Sequence, residues 1–141
     1  MLALAAALLV GTAARAQLLA DVLVASAIAA QFDATVRFPS GSLSAVGVGA
    51  DRMVARVPGH EEWTDWEVYA ARGIAANLQP AFIHQISTAF AVAGYFEQER
   101  SETDVGSELH TRILFASDDG TRLLYLLRAG QEVVWLTARS R

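Results

Sequence analysis

The sequence predicts an α+β domain: a C-terminal antiparallel β-meander plus N-terminal strands, packed against two central helices. Three observations predict it. The last third of the chain alternates in side-chain character between turn signals such as Asp118-Asp119-Gly120 and Ala129-Gly130. The middle carries two apolar stripes at helical spacing, split near Asn77 and Pro80. Residues 32–57 read as short β segments punctuated by Pro and Gly.

From the N-terminus, residues 18–30 read as a helix, with Leu19, Val22, Leu23 and Ser26 at helical spacing in an Ala-rich stretch. Phe32, Ala34, Val36 and Phe38 alternate with polar residues, which predicts a half-buried strand. Pro39-Ser40-Gly41-Ser42 is a turn, and Leu43–Val48 and Met53–Val57 read as two more short strands. Thr64 and Glu67 fit a capping box flanked by Trp63 and Val68 as a hydrophobic staple, predicting a helix over Thr64–Asn77. Pro80 suits the first turn of a second helix over Pro80–Ala93, with Phe82, Ile83, Ile86 and Phe90 as its stripe and Gly94 at its end. The meander follows as residues 95–101, His110–Ala116, Thr121–Arg128 and Glu132–Ala138. Its last two strands are apolar at both parities. An antiparallel sheet with one wet face alternates apolar and polar, so both faces of this hairpin are expected to be covered.

The chain of 141 residues is one domain's worth of sequence. Residues 2–14 carry no charge, and Ala14-Arg15-Ala16 follows as a small-x-small cleavage site. Residues 1–16 are therefore expected to be a cleaved signal peptide and residues 17–141 a single periplasmic or secreted domain. The segment LLADVLVASAIAAQF (residues 18–32) resembles the start of a type IV pilin or pseudopilin, an apolar helix with one acidic residue five positions after the processing site. With a cut after Ala16, Asp21 takes that position. The resemblance implies a membrane-anchored pilin-like subunit, with membrane contact only through an uncleaved N-terminal segment.

Composition excludes whole classes of chemistry. All 11 basic residues are Arg, so there is no lysine for a Schiff base or a phosphate-binding loop. The chain is also cysteine-free, which removes thiol catalysis, disulfides and thiolate metal sites. A net charge of −4 with scattered arginines argues against a nucleic-acid partner. His60, His84 and His110 show no metal-ligand spacing, and His60-Glu61-Glu62 lacks the second His of a zinc-protease helix. No metal and no cofactor are expected. No G-x-S-x-G frames a serine, and Gly47-x-Gly49-x-x-Arg52 lacks the third Gly of a dinucleotide fingerprint, with a strand expected after it. Asp118-Asp119-Gly120 reads as a turn because residue 126, where a calcium loop needs Glu, is Leu. The acids from Glu97 to Glu108 read as a solvated strand and loop.

Trp63, Trp66 and Tyr69 gather large rings on one short segment. They are the candidate ligand-binding residues, because aromatic side chains dominate recognition surfaces. With no catalytic set assembled in the sequence, the expected function is a non-catalytic exported domain that binds a partner protein or an apolar ligand. The alternative from another class is a small hydrolase whose His and carboxylate meet only in the fold. What separates them is whether a histidine reaches a carboxylate or hydroxyl at an accessible site.

Overall fold

The computed structural model describes residues 18–141; the expected signal segment, residues 1–16, lies outside the described residues. Seven strands form one antiparallel sheet: β1 (Leu23–Ser26), β2 (Leu43–Val46), β3 (Trp63–Ala71), β4 (Phe96–Val105), β5 (Glu108–Ser117), β6 (Gly120–Ala129) and β7 (Glu132–Ser140). Among the described residues two α-helices accompany them, α1 (Val48–Arg56) and α2 (Gln79–Val92). The strand order is β1-β2-β3-β7-β6-β5-β4. The C-terminal meander thus folds back hairpin by hairpin, and β7 ends in the middle of the sheet with β3 on its free side.

That position explains why β6 and β7 are apolar at both parities. Leu123, Tyr125, Leu127, Val134, Leu136 and Ala138 face one core, which also holds Leu19, Val68, Ala70 and, from α1, Ala50 and Met53. Leu124, Leu126, Val133 and Trp135 face a second core with Ile83, Ile86 and Phe90 of α2 and Ala30, Val36 and Phe38 of the preceding loop. Each face of the sheet is covered by one helix and part of the N-terminal segment. All four strands of the meander, the Asp118-Asp119 turn and the opening of α2 at Pro80 match the sequence expectation. Strand β4, at the sheet edge, is exposed along its length, as its charges require.

Four segments differ from the expectation. Residues 18–30 do not form a helix, nor the apolar helix that the pilin resemblance implies; Leu23–Ser26 pair with β2 instead. Residues 32–38 are not a strand but a loop that folds back on the segment after β1 through one isolated bridge, Ala29 to Arg37. Its alternating residues still bury Val36 and Phe38, because a loop lying flat on a core also hides every second side chain. Met53–Arg56 is helical, with Val57 as the C-cap: Ala50, Met53 and Val57 recur at helical spacing and are buried, while Ala55 is exposed. A helix therefore opens directly after Gly47, with Gly49 in its first turn. Gly49 serves close approach, since a Cβ there would sit 1.6 Å from the Ala20 carbonyl oxygen. Because β2 is antiparallel to its neighbours, this is no parallel βαβ phosphate loop.

The largest difference is Thr64–Asn77. Its first half is strand β3, paired with β7 from Trp63↔Ser140 to Ala71↔Val133. A bulge between Thr64 and Glu67, with Asp65 at φ 54°, inserts an extra residue. The bulge places Trp63 and Trp66, three apart, on the same core. Strand residues on one face are normally two apart, so the bulge reproduces the helical spacing that a sequence shows. Thr64 and Glu67 form no capping box, and Trp63 staples no helix.

Candidate functional site

The three candidate aromatics are held by β3 but on both faces of the sheet. Trp63 is buried in the α1-side core, and Trp66 packs half-buried against the same core. Tyr69 lies beyond the bulge on the α2 side, where its ring stacks on Trp135 at 5.9 Å between centroids and meets Phe38 edge-on at 4.6 Å. Trp66 and Tyr69 nevertheless meet at one cleft. Pairing of β2 with β3 stops at Ala45↔Val68, because Gly47 turns the chain into α1. The gap is a cleft of about 200 Å³ reaching both sides of the sheet edge, lined by Trp66, Glu67, Tyr69, Gln31, Ser44 and Val54 among others. Trp63 is not part of it.

The polar groups of the cleft form a tight set. The Tyr69 hydroxyl donates to Glu67 Oε1 at 2.5 Å, and the Gln31 N–H donates to both Glu67 Oε1 (2.8 Å) and the Tyr69 oxygen (3.0 Å). Burial, then the hydrogen bond to Glu67, pushes the Tyr69 phenol far above its ordinary value. It stays a neutral donor throughout the physiological range. The cleft therefore offers an indole surface, a carboxylate and, from Thr64 to Glu67, a stretch of β3 with no strand on its β2 side.

The histidines separate clearly. His84 is exposed on α2, its Nε2 3.4 Å from Thr88 Oγ1, and His60 pairs only with exposed Glu61. His110 is different. Its Nδ1 lies 2.8 Å from the Tyr125 hydroxyl and its Nε2 2.8 Å from Glu108 Oε1, while Arg56 donates to the same Glu108 oxygen at 2.5 Å. Burial pushes the Glu108 carboxyl up, but the bonds from His110 and Arg56 outweigh it and hold the group below its ordinary value. Burial raises the Tyr125 phenol. A carboxylate–imidazole–hydroxyl chain therefore exists, contributed by neighbouring strands β5 and β6 and tied to α1. Both ring nitrogens are occupied, and His110 and Tyr125 are 7% and 5% exposed.

Sequence reasoning did not find this chain. Its signal was the i, i+2 spacing of Glu108 and His110 on a strand, which puts both on one side; Tyr125 joins through the register His110↔Leu127, which only pairing sets. Among the described residues no three His, Asp or Glu side chains converge as metal ligands, and no helix is long and apolar enough to cross a membrane. No protein-family model matches the chain, and no curated protein matches it in sequence.

Proposed function

We propose that the protein is an exported, non-catalytic binding domain that holds a partner protein or an apolar ligand at the cleft between β2 and β3. The observation that carries this reading is the interrupted sheet edge: Trp66 flanks strand backbone left without a neighbour on its β2 side, beside the Glu67–Tyr69 acceptor and donor. An extended segment of a partner finds main-chain hydrogen bonds there and an indole to pack against. The uncharged residues 2–14 followed by Ala14-Arg15-Ala16 support export to the periplasm or medium.

A second reading, a small hydrolase, has the Glu108–His110–Tyr125 chain in its favour. Its only hydroxyl nucleophile would be Tyr125, a buried phenol whose ionisation burial opposes. A nucleophile must reach its substrate, so the open cleft supports binding better than the closed chain supports catalysis.

The test places a photo-crosslinking phenylalanine analogue at Trp66 and, as control, at Val92 on the exposed end of α2. Irradiated cells are expected to yield a discrete adduct from position 66 alone. Equal labelling from both positions overturns the cleft as the binding site. N-terminal sequencing is expected to begin at Gln17; an unprocessed, membrane-bound chain overturns export.

A further inference from the structure

A second hollow, lined by different residues, lies on the α2 side beside the β5–β6 turn. It encloses about 300 Å³ among Phe32, Tyr95, Ser117, Thr121, Arg122 and Arg139, with Asp119 also on its wall. That volume is at the small end of ligand pockets. Arg122 and Arg139 are direct cross-strand partners, and like charges in that relation are unfavourable.

Arg122 is the more unusual of the two. It is 8% exposed and forms an ion pair with none of the described carboxylates. Its guanidinium carbon lies 3.4 Å from the centroid of the Phe32 ring, and Nη1 donates to Thr137 Oγ1 at 3.2 Å. Thr137 in turn donates to the Leu123 carbonyl at 2.8 Å, so the guanidinium is fixed in place. Burial holds its ionisation below the ordinary arginine value, yet an arginine stays charged in a protein. Glu67 and Asp65 act on it only through space, and a buried cation with no carboxylate bonded to it is costly.

The rest of the hollow is held rigid as well. Asp33 accepts from the Thr35 N–H at 2.9 Å, the Thr35 hydroxyl at 2.6 Å and the Tyr95 hydroxyl at 2.9 Å. Burial and the bond to Asp33 push the Tyr95 phenol up to about 12, so it remains neutral. Tyr95 and Phe32 meet edge-on at 5.8 Å. Two aromatic rings thus stand beside a fixed guanidinium, while exposed Arg139, paired with Asp65, borders the opening.

We propose that this hollow binds the carboxylate of a small, singly charged organic acid, Arg122 taking the carboxylate and Phe32 and Tyr95 packing against the acid's apolar body. A guanidinium fork matches a carboxylate in two parallel hydrogen bonds. The acids Asp119 and Asp65 near the opening favour one negative charge over the two of a phosphate monoester. The site is independent of the β2–β3 cleft and stands or falls without it.

The test titrates the purified chain with benzoate, benzamide and inorganic phosphate, read by calorimetry and by thermal shift. Benzoate is expected to bind saturably and raise the melting temperature. Benzamide, its uncharged analogue, is expected to be silent, and phosphate at least tenfold weaker. Arg122→Met is expected to weaken benzoate at least tenfold while melting no lower than the parent, and Arg52→Gln, an exposed arginine on α1, to bind like the parent. No saturable benzoate binding overturns the proposal. So do equal binding by Arg122→Met, and phosphate binding tighter than benzoate. If Arg122→Met fails to fold, Tyr95→Ala serves instead, with the same tenfold loss expected.

Discussion

The two faces of the sheet are built from the same strands yet end differently. The α1 face is mainly aliphatic, from Leu19 and Met53 to Leu123 and Leu136, and its polar margin is the Arg56–Glu108–His110–Tyr125 chain, where each group meets a partner. The α2 face is aromatic, with Phe38, Tyr69, Phe90, Phe115 and Trp135 in contact or stacked. Its margin is Arg122, a buried cation with a ring and a hydroxyl but no carboxylate. Buried polar groups that are matched act structurally, and Arg122 is matched by a ring and one hydroxyl rather than by a carboxylate. The difference separates the histidine, which looks catalytic in composition, from the arginine, which does not.

Several variants test that contrast. The largest effect is expected at the sheet centre, where both faces are closed: Leu126→Asp on the α2 face and Leu136→Asp on the α1 face should each cost more than about 4 kcal/mol or prevent folding, because an unpaired charge is buried. A parent-like urea midpoint for either would show that its face is wet. Trp63→Ala comes next. Its ring is buried in the α1-side core, so a loss of about 3 kcal/mol is expected, whereas a ring that only stapled a helix end would cost about 1 kcal/mol or less. Trp66→Ala should cost less than Trp63→Ala, since half-buried Trp66 also borders the cleft.

The polar chain predicts a pH effect. Glu108 has a folded-state value below its ordinary 4.5, so the unfolded chain binds more protons there and stability falls as the medium acidifies. Its contribution is fully present above pH 4.5 and is lost as pH drops from there through the lower folded value. Glu108→Gln should destabilise the protein at neutral pH by about 1 kcal/mol, the cost of loosening a half-buried hydrogen-bonded group. It should also flatten the acid side of the stability profile. An unchanged slope below pH 4.5 would show that Glu108 does not carry it. The smallest effect is expected for Thr64→Ala, under about 0.5 kcal/mol, because Thr64 is a strand residue with no cap to lose. A loss near 1 kcal/mol by chemical denaturation would revive the helix reading of this segment.

Much of this architecture was legible from local pattern. The meander declared itself through alternation and through turns such as Asp118-Asp119-Gly120, and α2 through Pro80 and the Phe82/Ile86/Phe90 stripe. The candidate site was half legible. Two of its three aromatics, Trp66 and Tyr69, line the cleft, but nothing local shows that β2 stops pairing at Ala45 to create it. The segment Thr64–Asn77 misled for a definable reason: the bulge at Asp65 gave a strand the periodicity of a helix.

What the sequence determined by itself was the class of fold and the covering of both faces, because period and apolar parity follow from side-chain chemistry along a single segment. What the tertiary structure alone decided was which segments pair. The inner edge of β7 recruited Trp63–Ala71, rich in aromatic and β-branched residues, as a strand, although its spacing suited a helix. The same pairing set Arg122 opposite Arg139, and His110 within reach of Tyr125. Such contacts join residues distant in the chain, and their energy exists only once the strands have met in register.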